Sequence, residues 1–288
     1  MSTLPMTSAP ARAASHLDPV AMVRSLWRHR GLTWQFAARR IQARYKGQAF
    51  GIGWSIADPL VTLGIYTFVF GVILQRAAHG GAGASGGIAR FALEVFAGIL
   101  VFNVFRDAVG AAPTLVVGQP NFVKKVVYPL ETLPVSQMIA SLFNLLTGVA
   151  VWLIGYVIFS ENHLPSPGVL LLPLVVLPVA MLALGVSWVL ASLGVFLRDL
   201  RNPVGSVLHM LFFLSAIFYR IEDVPEGYRW MIAVNPLAQS VEAARAVMFG
   251  DGWPDWAWWG GTLGAGAAAC VLGYAFFMKS RKAFADVI

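Results

Sequence analysis

Five histidines, one cysteine and fourteen acidic residues are the chain's stock of catalytic and metal-binding side chains. Their spacing assembles no familiar site. His16, His29, His79, His163 and His209 are scattered, with no pair at metal-ligand spacing and no HExxH motif. Neither a GxSxG elbow nor a Walker sequence occurs. Cys270 stands in an apolar stretch and has no partner for an internal disulfide, so it reads as a small packing residue. Glu222, Asp223 and Glu226 cluster, and a solvated acidic turn accounts for them. What remains is electrostatic chemistry. Arg39, Arg40 and Arg44, with Tyr45 and Lys46 beside them, offer guanidinium forks suited to phosphate oxygens. Arg106 and Asp107 lie in apolar surroundings, where charge is costly unless it faces a bundle interior or water. Adjacent helical residues point about 100° apart, so this reading gives each a separate partner, either a structural polar contact between helices or a water-filled path.

The elements that must position these groups are membrane spans. Six apolar stretches, at 54–75, 93–117, 136–159, 169–196, 204–221 and 257–278, are each long enough to cross a bilayer. The composition agrees, with 58% hydrophobic and 12% charged residues. A soluble protein with buried helices would need a polar surface that this chain cannot supply. The fold class is all-α integral membrane: six transmembrane helices, an N-terminal amphipathic interface helix and an external re-entrant helical hairpin between spans five and six. Residues 1–18 read as a disordered cytoplasmic tail, 19–50 as the interface helix, and 51–288 as the six-span transmembrane domain.

Charge sets the orientation. If the chain crosses six times, 15 of the 21 Lys and Arg residues fall on one side. The positive-inside rule puts that side, and both termini, in the cytoplasm. The pI near 9.9 then reports topology and calls for no nucleic acid. Residues 1–50 contain no apolar core of a signal peptide.

Between the spans, four segments stand out. In 19–46, Val20, Val23, Trp27, Trp34, Ile41 and Tyr45 recur at helical spacing with arginines between them, and Gly31 offers a break. Such a helix lies in the interface, either as an anchor or also as a docking surface. HGGAGASGG (79–87) is an external linker without a P-loop ending. GQPNFVKKVVYPLETLP (118–134) joins spans two and three in the cytoplasm, with room for a short helix between Pro120 and Pro129 carrying Phe122, Lys124 and Lys125. It is either a topology-fixing basic loop or a docking surface. Residues 221–250 read as two short external helices broken at Asn235-Pro236, with Leu237, Val241, Ala244, Val247 and Met248 on one apolar face and Asn235 as cap.

These landmarks resemble a known family. ARYKGQAFGIGWSIADPL (43–60) is similar to the start of permease subunits of ABC exporters for surface polysaccharides: Tyr45-Lys46, the turn at Gly51 and Trp54 fill the family's places. NFVKKVVYPLETLP (121–134) resembles the coupling segment, and RDLRNP (198–203) the turn before span five. NPL at 235–237, with Glu242 and Arg245 downstream, resembles the external hairpin. O-antigen exporters look closest, with capsular polysaccharide and teichoic acid exporters near. Two features depart from the pattern: Leu130 stands where the family often has Arg, and the Arg106-Asp107 pair is unusually charged.

The resemblance implies a non-enzymatic permease in the bacterial inner membrane. It would pair with a second copy of itself and two copies of a separate ATPase. ATP and magnesium would belong to that ATPase, with no cofactor in this chain, and the cargo would be a polyprenyl-diphosphate-linked glycan. Asn121, Phe122, Lys124, Lys125 and Tyr128 would couple to the ATPase. Arg39, Arg40, Arg44, Tyr45 and Lys46 would form the lipid-diphosphate entrance. Tyr66, Phe70, Arg106, Asp107, Phe212, Phe213, Phe218 and Tyr219 would line the path, the aromatics stacking on sugars or simply packing. Tyr228, Trp230, Asn235, Glu242 and Arg245 would form the outer gate. An ABC permease for a drug or small lipid is the alternative. A secondary transporter would need a titratable or sodium site for which Arg106 and Asp107 alone are thin support.

Overall fold

The computed structural model describes residues 18–47, 50–69, 87–124, 128–159 and 164–287. Every regular element among them is helical. In chain order they are α1 (Pro19–Arg28), α2 (Arg30–Tyr45), α3 (Trp54–Tyr66), α4 (Gly87–Ala111), α5 (Pro120–Lys124), α6 (Thr132–Phe159), α7 (Leu172–Phe196), α8 (Arg201–Leu214), α9 (Glu226–Ala233), α10 (Pro236–Phe249), α11 (Trp256–Ser280) and α12 (Phe284–Val287). The expected tail and Phe70, Lys125 and most of the 79–87 linker lie outside the described residues.

Among the described residues, four helical stretches are long and apolar enough to cross a membrane: Ala89–Thr114, Thr132–Phe159, Pro167–Phe196 and Trp256–Val287. The shortest has 26 residues, about 39 Å at the helical rise, against a hydrocarbon core of about 30 Å. They match the expected spans two, three, four and six. α3 continues the expected first span to Val69, where the described part stops. α8 is shorter than expected. Its 14 residues reach only about 21 Å. The chain leaves the helix at Ser215, and Ala216 takes a left-handed φ of 53°, so Phe218 and Tyr219 lie beyond the helix.

α4 also begins earlier than the hydropathy implied. Arg90 lies in this added stretch and Glu94 just inside the expected limit of 93. The pair neutralises itself at 3.2 Å, and Arg90 also meets Asp251 at 2.6 Å. Pro113 and a 3₁₀ turn at Ala112–Thr114 then end the helix six residues before the expected limit of 117. Arg106 therefore sits near the end of α4 and not at mid-span.

α4 is the central post, with Phe96, Phe102, Val95 and Val101 buried against α6, α7, α8 and α10. α7 and α11 approach most closely. A Cβ on Gly185 would strike the backbone of Ala269 and Cys270, and one on Gly273 would strike Gly185. Small residues permit such contact where no hydrophobic drive separates lipid from protein. Gly185→Val is expected to force the pair apart at about 1–3 kcal/mol. A lowered unfolding midpoint in detergent would check this, and an unchanged midpoint would contradict the packing.

α1 starts on Pro19, with Asp18 accepting the Val20 N–H at 2.9 Å. The break from α2 falls at His29, two residues before Gly31. Val20, Val23, Trp27 and Trp34 are exposed, the apolar face expected of an interface helix. The two helices of the 221–250 segment are present as α9 and α10. Asn235 Oδ1 accepts the Leu237 N–H at 3.0 Å, and Leu237, Val241, Ala244, Val247 and Met248 are buried as the spacing implied.

Candidate functional site

The largest group of expected site residues converges where α2, α4, α6 and α8 meet. A cavity of about 580 Å³ there is lined by Arg44, Tyr66, Phe102, Arg106, Asp107, Phe212 and, from residues the sequence did not single out, Gln137, Arg201 and His209. Arg44 was assigned to an entrance, and Tyr66, Arg106, Asp107 and Phe212 to a path; they line one space.

Asp107 organises it. Its Oδ2 accepts from Arg44 Nη1 at 3.3 Å and from Asn144 Nδ2 at 3.1 Å, and its backbone carbonyl accepts from Gln137 Nε2 at 3.1 Å. Arg106 also pairs with Asp107, at 3.5 Å. This corrects the expectation that the two would not pair. The guanidinium is long enough to fold back across the angle between neighbouring positions. Two guanidinium groups, those of Arg44 and Arg106, thus face one carboxylate, Arg201 lines the same cavity, and Arg106 stays 46% exposed. The surplus positive charge beside an apolar wall suits an anion.

The aromatics form a continuous set. Phe212 lies 5.3 Å from Phe102 and 5.3 Å from Phe218, and Tyr66 lies 5.9 Å from Phe218. Phe213 contacts both Phe212 and Phe218 and is exposed on its far side. Tyr219 leaves the row, its hydroxyl donating to the Phe213 carbonyl at 2.9 Å.

The other expected groups divide. Arg39 is exposed over the Phe36 ring, and Lys46 is exposed. Arg40 turns inward instead, its Nε donating to Ser136 Oγ at 3.3 Å and its Nη1 to Gln137 Oε1 at 3.4 Å. Burial pulls its guanidinium below the ordinary arginine range. Tyr45 is buried, its hydroxyl donating to Asn144 Oδ1 at 3.5 Å. On the connecting segment, Phe122 stacks on Tyr128 at 4.9 Å and meets Phe36 edge-on at 5.3 Å, which binds α5 to α2. Asn121 is exposed, and Tyr128 is buried with its hydroxyl beside Thr132 at 3.0 Å.

At the other end of the bundle, Tyr228 and Trp230 are exposed on α9, while Arg245 is buried. Arg245 donates to the carbonyls of Glu94 at 3.1 Å, Ala216 at 2.9 Å, Tyr219 at 3.2 Å and Ile217, and pairs with Glu242 at 3.5 Å. Asn235 Nδ2 donates to the Leu214 carbonyl at 3.0 Å. These two side chains tie α10 to the broken end of α8. Sequence spacing offered no signal for that role, because it requires knowing where α8 stops.

A family model described as ABC-2 type transporter matches residues 31–249. The chain is 25% identical over 238 residues to an O-antigen export system permease protein of Myxococcus xanthus, covering 82% of this chain and 87% of that protein. A Klebsiella pneumoniae protein of the same description is 25% identical over 249 residues, covering 86% of this chain and 91% of its own. The polysialic acid transport protein KpsM of Escherichia coli is 25% identical over 221 residues, covering 74% of this chain and 79% of its own.

Proposed function

Because the chain belongs to the ABC-2 type transporter family, we propose that it is the transmembrane subunit of an ATP-driven exporter that moves a polyprenyl-diphosphate-linked surface polysaccharide across the bacterial inner membrane. The reading is carried by its likeness to O-antigen export permeases across more than four-fifths of the chain. The arginine-lined cavity supports it. Arg44, Arg106 and Arg201 suit the diphosphate, while Tyr66, Phe102 and Phe212 offer broad faces to the first sugars.

In this reading the chain crosses six times with both termini in the cytoplasm, α3 and α8 supplying the remaining two spans. The pair α9–α10 dips into the outer leaflet to complete the short fifth crossing. α3 and α8 expose Ile56, Leu60, Val61, Ile65, Val207, Met210 and Phe213, and a second copy of the chain covers these faces. Two ATPase subunits, which bind ATP and magnesium, dock at α5 and the interface helices. Their closure moves α5, and the Phe36–Phe122–Tyr128 rings carry that motion to α2 and so to Arg44 at the cavity wall.

Phe122→Asp is expected to leave the protein in the membrane but uncouple it from ATP hydrolysis, because a carboxylate cannot occupy the aromatic contact. Normal export by this variant would exclude the coupling role. The whole reading is tested by deleting the gene and measuring surface polymer and lipid-linked polymer inside the cell. Loss at the surface with accumulation inside supports it. If neither pool changes where no redundant exporter exists, the cargo is a drug or small lipid instead.

A further inference from the structure

A second cleft, of about 460 Å³, opens between the turn after α8, α10 and the start of α11, apart from the arginine-lined cavity. Trp253, Trp258 and Trp259 supply its aromatic wall, and Glu222, Gln239 and Thr262 contribute polar groups. We propose that this cleft is a subsite for uncharged sugar units of the glycan that the protein exports; it rests on the export reading given above.

The lining selects the ligand by exclusion and by fit. Glu222, Glu242, Asp251 and Asp255 stand against Arg220 and Arg245 in the lining and Arg90 on Asp251, a small acidic surplus that disfavours phosphate and acidic sugars. Both arginines are also engaged, Arg220 with Glu94 at 3.2 Å and Arg245 with the carbonyls around Ala216. Ile221 is the one large aliphatic side chain in the lining, so an acyl chain finds little to pack against. A neutral sugar has an apolar C–H face and a rim of hydroxyl donors. Its face suits an indole, and its rim suits carboxylates and an amide oxygen.

The wall is also fixed before any ligand arrives. Trp259 Nε1 donates to the Leu174 carbonyl at 3.0 Å, and Gln239 Nε2 donates to the Ala233 carbonyl at 2.9 Å, which sets the orientation of each group. Asp255 Oδ1 accepts the N–H groups of Ala257 and Trp258 at 2.9 and 3.2 Å, which fixes the start of α11 beneath the Trp258 ring. Such preorganisation lowers the cost of binding, and the volume falls within the range of small-molecule sites. Anchoring at a membrane interface accounts for Trp256, which lies outside the cleft, but not for the polar groups that α10 brings into the same cleft as Trp258.

The test uses the full chain in detergent and isothermal titration calorimetry. The probes are the host cell's own surface polysaccharide, freed of lipid by mild acid, and choline chloride. The polysaccharide is expected to bind, and Trp258→Ala to weaken it about tenfold while leaving the unfolding midpoint unchanged. Glu222→Gln, on the exposed rim, is expected to weaken it a few-fold. Equal binding by wild type and Trp258→Ala would overturn the subsite, as would binding of choline without the polysaccharide, which would make the cleft a cation cage. The deletion assay separates the two levels of failure. A polymer that accumulates inside deleted cells yet does not bind overturns the subsite and leaves export standing. A polymer unaffected by deletion removes the export reading and the subsite with it.

Discussion

Arg245→Met lowers the unfolding midpoint of the detergent-solubilised protein, by an amount expected to correspond to about 3–5 kcal/mol, the cost of breaking a buried charged network from one side. The side chain is only 7% exposed. Its guanidinium donates to four backbone carbonyls, three of them in the turn 216–219 that follows α8. That turn needs support, since Ala216 holds a left-handed φ that a residue with a Cβ adopts at a cost. Methionine keeps much of the volume and supplies no donor, so the carbonyls and the Glu242 carboxylate are left unmatched in a buried place. Arg245→Lys retains the charge and too few donors for all four acceptors, so an intermediate loss is expected. A methionine variant as stable as wild type would show that the turn is held by its own packing.

The second large effect belongs to the opposite end of the bundle. Glu131 is 3% exposed and immediately precedes α6. Its carboxylate accepts from Arg281 Nη1 at 2.9 Å and from Ser25 Oγ at 3.4 Å, and its backbone carbonyl accepts from Trp188 Nε1 at 3.0 Å. Arg281 also donates to the Tyr128 carbonyl at 3.1 Å. One acid therefore joins α1, the connecting segment, α6, α7 and the end of α11. Glu131→Ala is expected to cost about 3 kcal/mol, because Arg281 keeps its charge and loses its partner. A double-mutant cycle with Arg281→Ala separates the pair from the rest. If the two losses simply add, the ion pair is not what holds these elements together.

Much of this architecture was legible in the chain, for one physical reason. A membrane span must satisfy its backbone internally and present apolar side chains outward, so length and hydropathy mark it. α6, α7 and α11 fell within a few residues of expectation. The cap at Asn235 and the buried face of α10 were readable from local chemistry as well. What failed involved partners distant in sequence. The start of α4 was set too late, and there Arg90 and Glu94 meet Asp251 and Arg220, which lie far off in sequence. α8 looked longer because Ser215 and Ala216 carry no breaker signature, and Arg245 lies 29 residues from the Ala216 carbonyl it holds. Within the site, Arg44 was assigned to the entrance and Tyr66, Arg106, Asp107 and Phe212 to the path, and only the fold puts all five around one cavity. Arg201 and His209 were passed over because a turn and an apolar helix are ordinary places for them.

The close seam between α7 and α11 has a mechanical consequence. Where Gly185 and Gly273 let two backbones touch, neither helix can slide or turn without a clash. That pair is a stator. In the proposed export cycle, movement then falls to elements free of the seam, and α3 and α8 border the arginine-lined cavity through Tyr66, Leu208 and Phe212, alongside α2, α4 and α6. Widening that space requires only that one wall be displaced against a fixed frame, so a narrow movement at the membrane surface can change the bore without dismantling the bundle.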